Sequence, residues 1–215
     1  DDVSIFEEMK TIRTGLSAAW GLPVFDSTAL PNKDILRMAT MGGAAAMQME
    51  NTGSILSCDL HPHKIALIEK NAARLGISIL KAETRSAAEF DPALENGFDL
   101  VIADVPCSGL GVIRKKPDIR YHEPSAELPA LQRAILAQQA EYVRPGGVLL
   151  YSTCTVRKEE NEDVARTFLL AHPEFSPEPF AVPAGLDLKN EGYATVLPQK
   201  HAADGFFICK LRRHA

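Results

Sequence analysis

The segment Phe98–Gly109, with the sequence FDLVIADVPCSG, is the clearest indication of the fold of this chain. Its first half is a short apolar run of the kind that forms a buried strand, and its second half contains proline, serine and glycine, which favour a turn. Gly147–Thr155, with the sequence GVLLYSTCT, has the same arrangement. Each segment places a cysteine, Cys107 or Cys154, just beyond the carboxyl end of a strand. Ligands bind at that edge of open α/β sheets, so we predict a functional site there, with Asp104 beside it.

The neighbours of the four cysteines divide them into two kinds. Cys58 and Cys209 lie in apolar stretches, where a cysteine usually serves as a small buried hydrophobe. Cys107 and Cys154 lie among turn-forming and polar residues, which favours thiolate chemistry on a bound substrate. A disulfide is not favoured, because four cysteines are too few for a disulfide scaffold and no secretory signal is recognisable. No metal site is expected either, since no two cysteines are close in sequence and no histidine pair has zinc-finger spacing.

Length and composition indicate an ordinary globular protein. The chain has 215 residues, of which 46% are hydrophobic and 24% are charged. No apolar run approaches the roughly 20 residues that span a bilayer, so we expect a soluble, cytoplasmic protein with no membrane partner, and we favour a monomer. The formal net charge of -5 does not indicate a nucleic-acid-binding protein. One basic cluster stands out, formed by Arg114, Lys115, Lys116 and Arg120. On charge alone, this cluster is more typical of a solvated loop than of a binding site.

Strand and helix patterns alternate through the middle of the chain. The predicted strands are 34–38, 54–58, 77–80, 98–103, 148–151, 193–197 and 206–211. The predicted helices are 44–49, 62–75, 127–143 and 158–171. The alternation favours a mostly parallel sheet of seven strands with helices on both faces, and the last two strands, joined without a helix, favour an antiparallel pair at one edge. This pattern is typical of a class I methyltransferase, a Rossmann-like α/β fold, with 1–33 as a lead-in segment and 34–215 as the catalytic domain.

The first two predicted strands form a candidate nucleotide-binding unit. Gly42 and Gly43, after the first strand, would let a ligand approach the backbone closely, and Asp59, at the end of the second, would accept hydrogen bonds from ribose hydroxyls. Two glycines followed by an acid are weak evidence by themselves. Asp59 can equally cap the helix that Pro62 begins, and the residues alone leave both interpretations open.

In its motifs, the chain resembles the RNA (cytosine-5) methyltransferase family, and within it the bacterial branch that acts on small-subunit ribosomal RNA. Asp104–Gly111, DVPCSGLG, is similar to the Asp-Ala-Pro-Cys-Ser-Gly motif of that family. Tyr151–Thr155, YSTCT, followed by Glu159–Glu162, EENE, is similar to its Tyr-Ser-Thr-Cys motif and the Glu-Glu-Asn tail. Residues 114–120 resemble the linker after the first motif, and 197–210 resemble the closing segment. The two cysteine motifs in this order are highly specific.

The resemblance implies S-adenosylmethionine as the cofactor, RNA as the partner, with 16S ribosomal RNA favoured, and 5-methylcytosine as the product. It implies that Cys154 is the nucleophile that adds to carbon 6 of cytosine. Cys107 would help to remove the carbon 5 proton and release the enzyme, and Asp104 would hydrogen-bond the base. The implied cofactor-binding residues are Gly42, Gly43, Asp59, Glu83 and Asp104. The resemblance also favours contacts to RNA phosphates by the basic cluster of Arg114, Lys115, Lys116 and Arg120.

The cofactor loop departs from the family pattern. The family has Asp-x-Cys-Ala-Ala-Pro-Gly-Gly-Lys, whereas residues 36–44 are LRMATMGGA, with Arg37 in place of the acid and Ala44 in place of the lysine. Glu83 stands where the family usually has an aspartate. These departures leave an alternative open, a methyltransferase-like RNA-binding or ribosome-assembly factor with a weakened cofactor site. A thiol redox protein that uses the two motif cysteines is a third interpretation, and it is disfavoured because the surrounding motifs have no such use.

Overall fold

The computed structural model describes residues 53–121, 123–180, 188, 190–201 and 203–215. The predicted lead-in 1–33, the strand 34–38, the helix 44–49 and the glycine pair Gly42 and Gly43 lie outside the described residues. The described residues belong to two compact units, the first ending at Ser86 and the second beginning at Ala87.

The first unit contains a β–α–β motif. Its elements are β1 Ile55–Asp59, α1 Pro62–Leu75 and β2 Leu80–Thr84. β1 pairs with β2 in parallel, as predicted. Gly76, in the left-handed conformation with φ 70°, ends α1 by donating its N–H to carbonyls of the last turn. The strand begins at Leu80 and not at Ile77, where it was predicted to begin, because the Ile77 N–H still bonds the carbonyl of Ala72 in α1.

The second unit contains five strands and three α-helices among the described residues. They are β3 Phe98–Asp104, α2 Leu128–Ala140, β4 Val143–Thr153, α3 Glu162–Ala171, β5 Phe175–Pro177, β6 Tyr193–Val196, α4 Pro198–His201 and β7 Phe206–Arg213. Short 3₁₀ helices lie at Pro92–Leu94, Leu110–Val112, Pro117–Tyr121 and Lys158–Glu160. The strand order is β3-β4-β7-β5, and β6 also pairs with β7. β3 and β4 are parallel, whereas β7 is antiparallel to β4, β5 and β6.

The predicted sheet is confirmed only in part. The described strands form a two-stranded and a five-stranded sheet, and their pairing is mixed rather than mostly parallel. The last two strands are antiparallel as predicted, but β7 lies between β4 and β5 and not at an edge. β7 can occupy that place because alternate residues along it are buried, so that one whole face joins the core. β5, with three residues, is too short to give a periodic pattern in the sequence.

The core of the second unit joins the sheet to helices α2 and α3. Leu136 of α2, Leu149 of β4 and Val164 of α3 are fully buried there. The buried positions of α2 are 132, 135, 136 and 140, a spacing that places them on one face of the helix. This packing holds β3 beside β4, so that the turns after both strands leave from the same edge. Within the described part of the chain, every helix falls short of the length and apolarity that a bilayer crossing requires.

The two cysteines expected to be buried hydrophobes differ from each other. Cys209 on β7 is buried, as predicted, and burial raises the pKa of its thiol to about 12. The prediction for Cys58 is wrong, because its side chain is exposed in the structure. The other four residues of β1 are half-buried, so position 58 is the exposed one of this strand.

Candidate active site

The two cysteine motifs meet at one edge of the five-stranded sheet. β3 and β4 are parallel with Asp104 opposite Ser152, so the turns that follow both strands begin side by side. Cys107 Sγ and Cys154 Sγ lie 3.3 Å apart, which is hydrogen-bonding distance for sulfur. Both side chains are half-buried. The predicted juxtaposition of the two thiols at this edge is therefore present in the structure.

The short contact makes the ionisation of one thiol depend on the other. A hydrogen bond from Cys154 lowers the pKa of Cys107 against the opposing effect of burial, and backbone N–H groups act in the same direction. The same hydrogen bond, together with burial, raises the pKa of Cys154, because a second thiolate would face the first. The pair therefore loses its first proton more readily than its second, and Cys107 ionises first.

Asp104 lies at the carboxyl end of β3, beside the two sulfurs. The Ser152 hydroxyl donates a hydrogen bond to Asp104 Oδ1 over 3.1 Å. Neighbouring protein atoms reduce the hydration of the carboxyl and raise the pKa of Asp104, and the hydrogen bond from Ser152 works in the opposite direction. The residue nevertheless remains exposed and within reach of a ligand.

Two buried polar side chains lie beneath the turn that carries Cys107. Gln132 Nε2 donates to the Pro106 carbonyl over 2.9 Å and to Glu160 Oε2 over 3.0 Å. The Ser108 N–H donates to the same oxygen of Glu160 over 2.8 Å. Gln132 is fully buried and Glu160 is 1% exposed. Both residues that flank Cys107 are therefore held by one connected set of hydrogen bonds.

A different side chain holds the segment that carries Cys154. The Thr153 hydroxyl donates to Asn161 Oδ1 over 2.6 Å, and Asn161 Nδ2 donates to the Thr155 carbonyl over 3.0 Å. Asn161 is fully buried. A single amide group thus binds both residues that flank Cys154.

The two cysteine-bearing segments also contact each other. The hydroxyls of Ser108 and Thr155 lie 2.8 Å apart, and the Gly111 N–H donates to the Cys154 carbonyl over 2.9 Å. The Gly205 N–H donates in turn to the Gly111 carbonyl over 2.8 Å. A Cβ atom on Gly111 would lie 2.1 Å from the Gly205 oxygen and 2.7 Å from the Cys154 oxygen, so only glycine allows this approach.

In the first unit, Asp59 ends β1, where the sequence predicts a ribose-binding acid. Its Oδ1 accepts a hydrogen bond from the His61 N–H over 2.8 Å, and Oδ2 lies 3.5 Å from Lys64 Nζ. His61 is the residue that precedes the first turn of α1, and its own side chain makes no capping bond. Asp59 therefore stabilises the start of the helix, and the ribose-binding role stays a prediction.

Glu83, the second predicted cofactor acid of the first unit, lies between two cations. Arg85 Nη2 is 2.7 Å from one carboxyl oxygen and Lys81 Nζ is 2.6 Å from the other. The hydrogen bonds from Arg85 and Lys81 hold the pKa of Glu83 below its ordinary value. Across the described ranges, no group of three or more His, Cys, Asp and Glu side chains is arranged to bind a metal ion.

A buried carboxyl anchors two of the four cations in the basic cluster. Arg114 Nη2 lies 3.4 Å from Asp204 Oδ1, and Lys115 Nζ lies 2.6 Å from Asp204 Oδ2. The Asp204 side chain is only 7% exposed. These ion pairs tie the linker that follows the Cys107 turn to the segment that precedes β7.

The other two cations of the cluster lie further along the linker. Lys116 is half-buried and Arg120 is exposed. The Arg120 guanidinium lies 6.0 Å from the centre of the Tyr121 ring, and Tyr121 is 80% exposed. A cation beside an exposed aromatic ring is an arrangement that can contact both a phosphate and a base. The contact with RNA itself stays a prediction.

Sequence comparison identifies the family of the chain. The profile of the family described as 16S rRNA methyltransferase RsmB/F matches residues 31–212. The chain belongs to this family. A probable ribosomal RNA small subunit methyltransferase B from Bacillus subtilis is 40% identical over 199 residues, which cover 88% of this chain and 43% of the relative. A ribosomal RNA small subunit methyltransferase F from Escherichia coli is 34% identical over 197 residues, covering 88% of this chain and 40% of the relative. The chain therefore spans about two fifths of the length of these curated relatives.

Solved structures agree with the membership of this RsmB/F chain. The structure titled PH0851 superposes with a TM-score of 0.70 at 34% identity, over 78% of this chain and 39% of that one. NSun6 from Pyrococcus horikoshii, solved with SFG, gives a TM-score of 0.62 at 28% identity, over 81% and 45% of the two chains. Together with the family match, these likenesses show a class I methyltransferase-like α/β fold.

The polar side chains beneath the two cysteine turns of this RsmB/F chain were not predicted from the sequence. Glu160 and Asn161 belong to the tail after the second cysteine motif, and their positions in the sequence did not indicate a role in the site. Gln132 carries a signal of its own, because it is a polar residue at a position that shares the apolar face of α2 with Ile135 and Leu136. A buried polar residue on such a face needs a hydrogen-bonding partner, and here the partners are parts of the site.

Proposed function

We propose that this chain carries the catalytic part of an S-adenosylmethionine-dependent enzyme of the cytoplasm that forms 5-methylcytosine in RNA, with 16S ribosomal RNA as the substrate. The observation that carries the proposal is the pair of half-buried thiols, Cys107 and Cys154, 3.3 Å apart beside Asp104. Membership of the RsmB/F family supports the reaction class and the substrate. The NSun6 structure, solved with the S-adenosylmethionine analogue SFG, supports the cofactor.

Cys154 opens the proposed reaction. Carbon 5 of cytosine is a poor nucleophile, and a thiolate that adds to carbon 6 changes this, because the electron pair of the 5,6 double bond then makes carbon 5 nucleophilic. Bound S-adenosylmethionine supplies an electrophilic methyl group for carbon 5. Cys154 is the less acidic thiol of the pair, so it loses its proton as it attacks, and the Cys107 thiolate at 3.3 Å is placed to accept that proton.

Cys107 completes the proposed reaction. After carbon 5 carries the methyl group, its remaining proton must leave so that the electron pair can restore the 5,6 double bond and expel Cys154 as a thiolate. Cys107 is half-buried, so it can pass its first proton to water and then accept the proton from carbon 5. The two thiols thus act in sequence, one forming the bond to the base and the other allowing that bond to break.

In the proposed reaction, Asp104 hydrogen-bonds the cytosine base. A carboxyl group with a raised pKa is protonated more readily at neutral pH, and it can then donate to the ring nitrogen of cytosine while its other oxygen accepts from the amino group. The Ser152 hydroxyl holds one of the two oxygens in place. Donation to the ring nitrogen stabilises the electron-rich ring that forms when carbon 6 is attacked.

The acids of the first unit fit the cofactor to different degrees. Among the described contacts, each carboxyl oxygen of Asp59 has a single partner, and its side chain is 26% exposed, so it fits the hydroxyls of a ribose. Glu83 already faces Arg85 and Lys81, and it would share its oxygens between them and the cofactor. We therefore assign ribose binding to Asp59 first and a weaker contact to Glu83.

The proposed substrate must present an unstacked cytosine, since both sulfurs act on ring atoms. Extruding a base costs a few kcal/mol in a duplex and less in a loop, which favours a loop or bulge of the ribosomal RNA. We assign phosphate contacts to Lys116 and Arg120. Arg114 and Lys115 contribute positive charge from positions that Asp204 fixes, with part of that charge neutralised.

Two measurements test the proposed function. Calorimetry should detect S-adenosylmethionine binding, and Asp59→Ala should weaken it, because the ribose hydroxyls lose an acceptor. An unmodified 16S ribosomal RNA transcript should gain methyl label only on carbon 5 of cytosine, as read by mass spectrometry of nucleosides. RNA binding without cofactor binding or methyl transfer would instead favour the alternative, an RNA-binding or ribosome-assembly factor.

A further inference from the structure

We propose that Glu160 and Asn161, adjacent in the chain, are positioning residues that set the two cysteines separately. Glu160 holds the Cys107 turn for release of the RNA, and Asn161 holds the Cys154 segment for attack on the base. The inference rests on the proposed function, because it assigns each residue to one of the two proposed steps.

The buried position of the Glu160 carboxyl is difficult to explain by folding stability alone. Its side chain is 1% exposed, and its Oε2 accepts from the Ser108 N–H and from Gln132 Nε2. Its Oε1 has no hydrogen-bond partner among the described residues and lies 3.8 Å from Arg157 Nε, a long ion pair. Burying a charged carboxyl costs desolvation free energy that a long ion pair offsets only in part, and an apolar side chain of similar volume would avoid that cost. This arrangement instead fixes the position of the Cys107 turn.

Asn161 gives an independent indication of the same kind. It is the N-cap residue of α3, where an asparagine side chain ordinarily accepts from the backbone N–H groups of the first helical turn. Here the side chain makes no capping bond. Its amide instead binds Thr153 on one side of Cys154 and Thr155 on the other. A stabilising local bond is therefore replaced by two bonds to the segment that carries the proposed nucleophile.

Glu160 also acts on Cys107 through its charge. A negative charge near a thiol disfavours the thiolate, and Glu160 raises the pKa of Cys107 against the larger lowering effect of the Cys154 hydrogen bond. The carboxyl therefore has two separable effects, a geometric one through the Ser108 N–H and an electrostatic one on the sulfur. Glu160→Gln preserves an acceptor oxygen of the same size and removes the charge, whereas Glu160→Ala removes both.

Because Glu160 and Asn161 hold different cysteine-bearing segments, substitution of each should impair a different step of the proposed reaction. If Cys107 moves while Cys154 stays in place, the bond to carbon 6 forms and cannot be resolved, and a covalent protein–RNA complex accumulates. If Cys154 moves, the complex does not form at all. General loss of stability cannot produce both patterns, because it would lower every step of both variants together.

The experiment compares variants of the full-length protein with 16S ribosomal RNA and S-adenosylmethionine on a denaturing gel. Glu160→Ala should accumulate covalent complex, as Cys107→Ala is also expected to do, with release slowed roughly 100-fold, the loss that misplacement of a catalytic group by about 1 Å produces. Asn161→Ala should form roughly 100-fold less complex than the wild type. Glu160→Gln should restore release to within about tenfold of the wild type. Glu159→Gln is the matched control, since it makes the same change one residue earlier on a side chain that is 60% exposed.

A second readout needs no RNA. The rate of Cys107 alkylation by iodoacetamide, followed against pH in a Cys154→Ala background, reports the charge of Glu160 directly. Glu160→Gln should shift this profile to lower pH, because the thiolate no longer faces a carboxylate. Glu159→Gln should leave the profile unchanged.

The outcomes separate the two proposals. If Cys107→Ala traps RNA but folded Glu160→Ala releases it as fast as the wild type, the positioning role of Glu160 is wrong. Identical defects in Glu160→Ala and Asn161→Ala would overturn the division between the two anchors. If the wild type transfers no methyl group and Cys107→Ala traps nothing, the proposed function fails instead, and the alkylation profile still decides whether Glu160 acts on the Cys107 thiol.

Discussion

The two cysteine-bearing segments are alike in sequence setting and differ in how the protein holds them. Each follows one of two neighbouring parallel strands. The Cys107 turn depends on distant residues, since Pro106 bonds Gln132, 26 positions later, and Ser108 bonds Glu160, 52 positions later. The Cys154 segment depends on Asn161, which lies 8 and 6 positions from its two partners.

This difference has a physical consequence. The side-chain amide that holds the residues flanking Cys154 lies within one strand–helix connection, so these bonds form when that connection forms. The side chains that hold the residues flanking Cys107 come from α2 and from the 3₁₀ helix Lys158–Glu160, so they require the packed second unit. The two segments share the contacts between Ser108 and Thr155 and between Gly111 and Cys154, and they differ in the sequence distance of the side chains that hold each one.

Substitutions of the two cysteines themselves should change methyl transfer more than any other variant. Cys154→Ala should lower methyl transfer at least about a thousandfold and abolish the covalent complex with RNA, because it removes the thiol that attacks carbon 6 in the proposed reaction. Cys107→Ala should retain the covalent complex while losing turnover. Gel analysis and methyl-transfer assays on the same samples separate these results. Full methyl transfer by Cys154→Ala would contradict the assignment of the nucleophile.

Breaking the contact between the two segments should cost folding stability. Gly111→Ala forces a Cβ against the carbonyls of Gly205 and Cys154, and overpacking of this kind costs about 3 kcal/mol. Urea unfolding of the variant should show the loss as a lower midpoint. Gly53→Ala is the control, because no atom of the described residues lies within 4 Å of the added Cβ. A Gly111→Ala protein as stable as the control would contradict the close approach of the two segments.

The shared proton predicts opposite pH shifts for the two thiols. In Cys154→Ala, the pKa of Cys107 should rise, because the thiolate loses the hydrogen bond that stabilises it. In Cys107→Ala, the pKa of Cys154 should fall, because the contact that raises it is gone. Alkylation rates measured against pH should therefore move to higher pH for Cys107 and to lower pH for Cys154, relative to the wild type. Shifts in the same direction would show that the thiols do not share a proton.

The smallest effect is expected for RNA binding, when the lysines that follow the two cysteine-bearing segments are substituted. Lys116→Ala should weaken RNA binding and reduce the slope of log K against log salt by about one, as expected for the loss of one phosphate contact. Lys158, after the Cys154 segment, is the matched control because it pairs with Asp163 at 3.3 Å. Lys158→Ala should leave the slope unchanged. Equal slopes for the two variants would remove Lys116 from the proposed RNA contact.

Local sequence patterns predicted the elements that local interactions form. The apolar run before Asp104 gave β3, and Pro62 and Gly76 gave the limits of α1, since each depends on neighbours a few residues away. The same patterns predicted strand limits and strand order less well, because these depend on pairing between strands. β4 extends over Val143–Thr153, beyond the predicted 148–151, because its pairing with β3 continues back to Val143. β7 is an inner strand because both β4 and β5 bond to it.

The amino-acid sequence was enough to predict that two cysteines follow two strands at the ligand-binding edge, and that their motifs belong to an RNA methyltransferase family. Only the tertiary structure decided that the sulfurs lie 3.3 Å apart, that Gln132 and Glu160 lie beneath Cys107, and that Asp204 holds two of the basic cluster's cations. The reason is the sequence separation over which each kind of interaction acts. Strand and turn propensities act between near neighbours, whereas these contacts join residues 26 to 90 positions apart and form only when the strands are in register and the helices are packed against them.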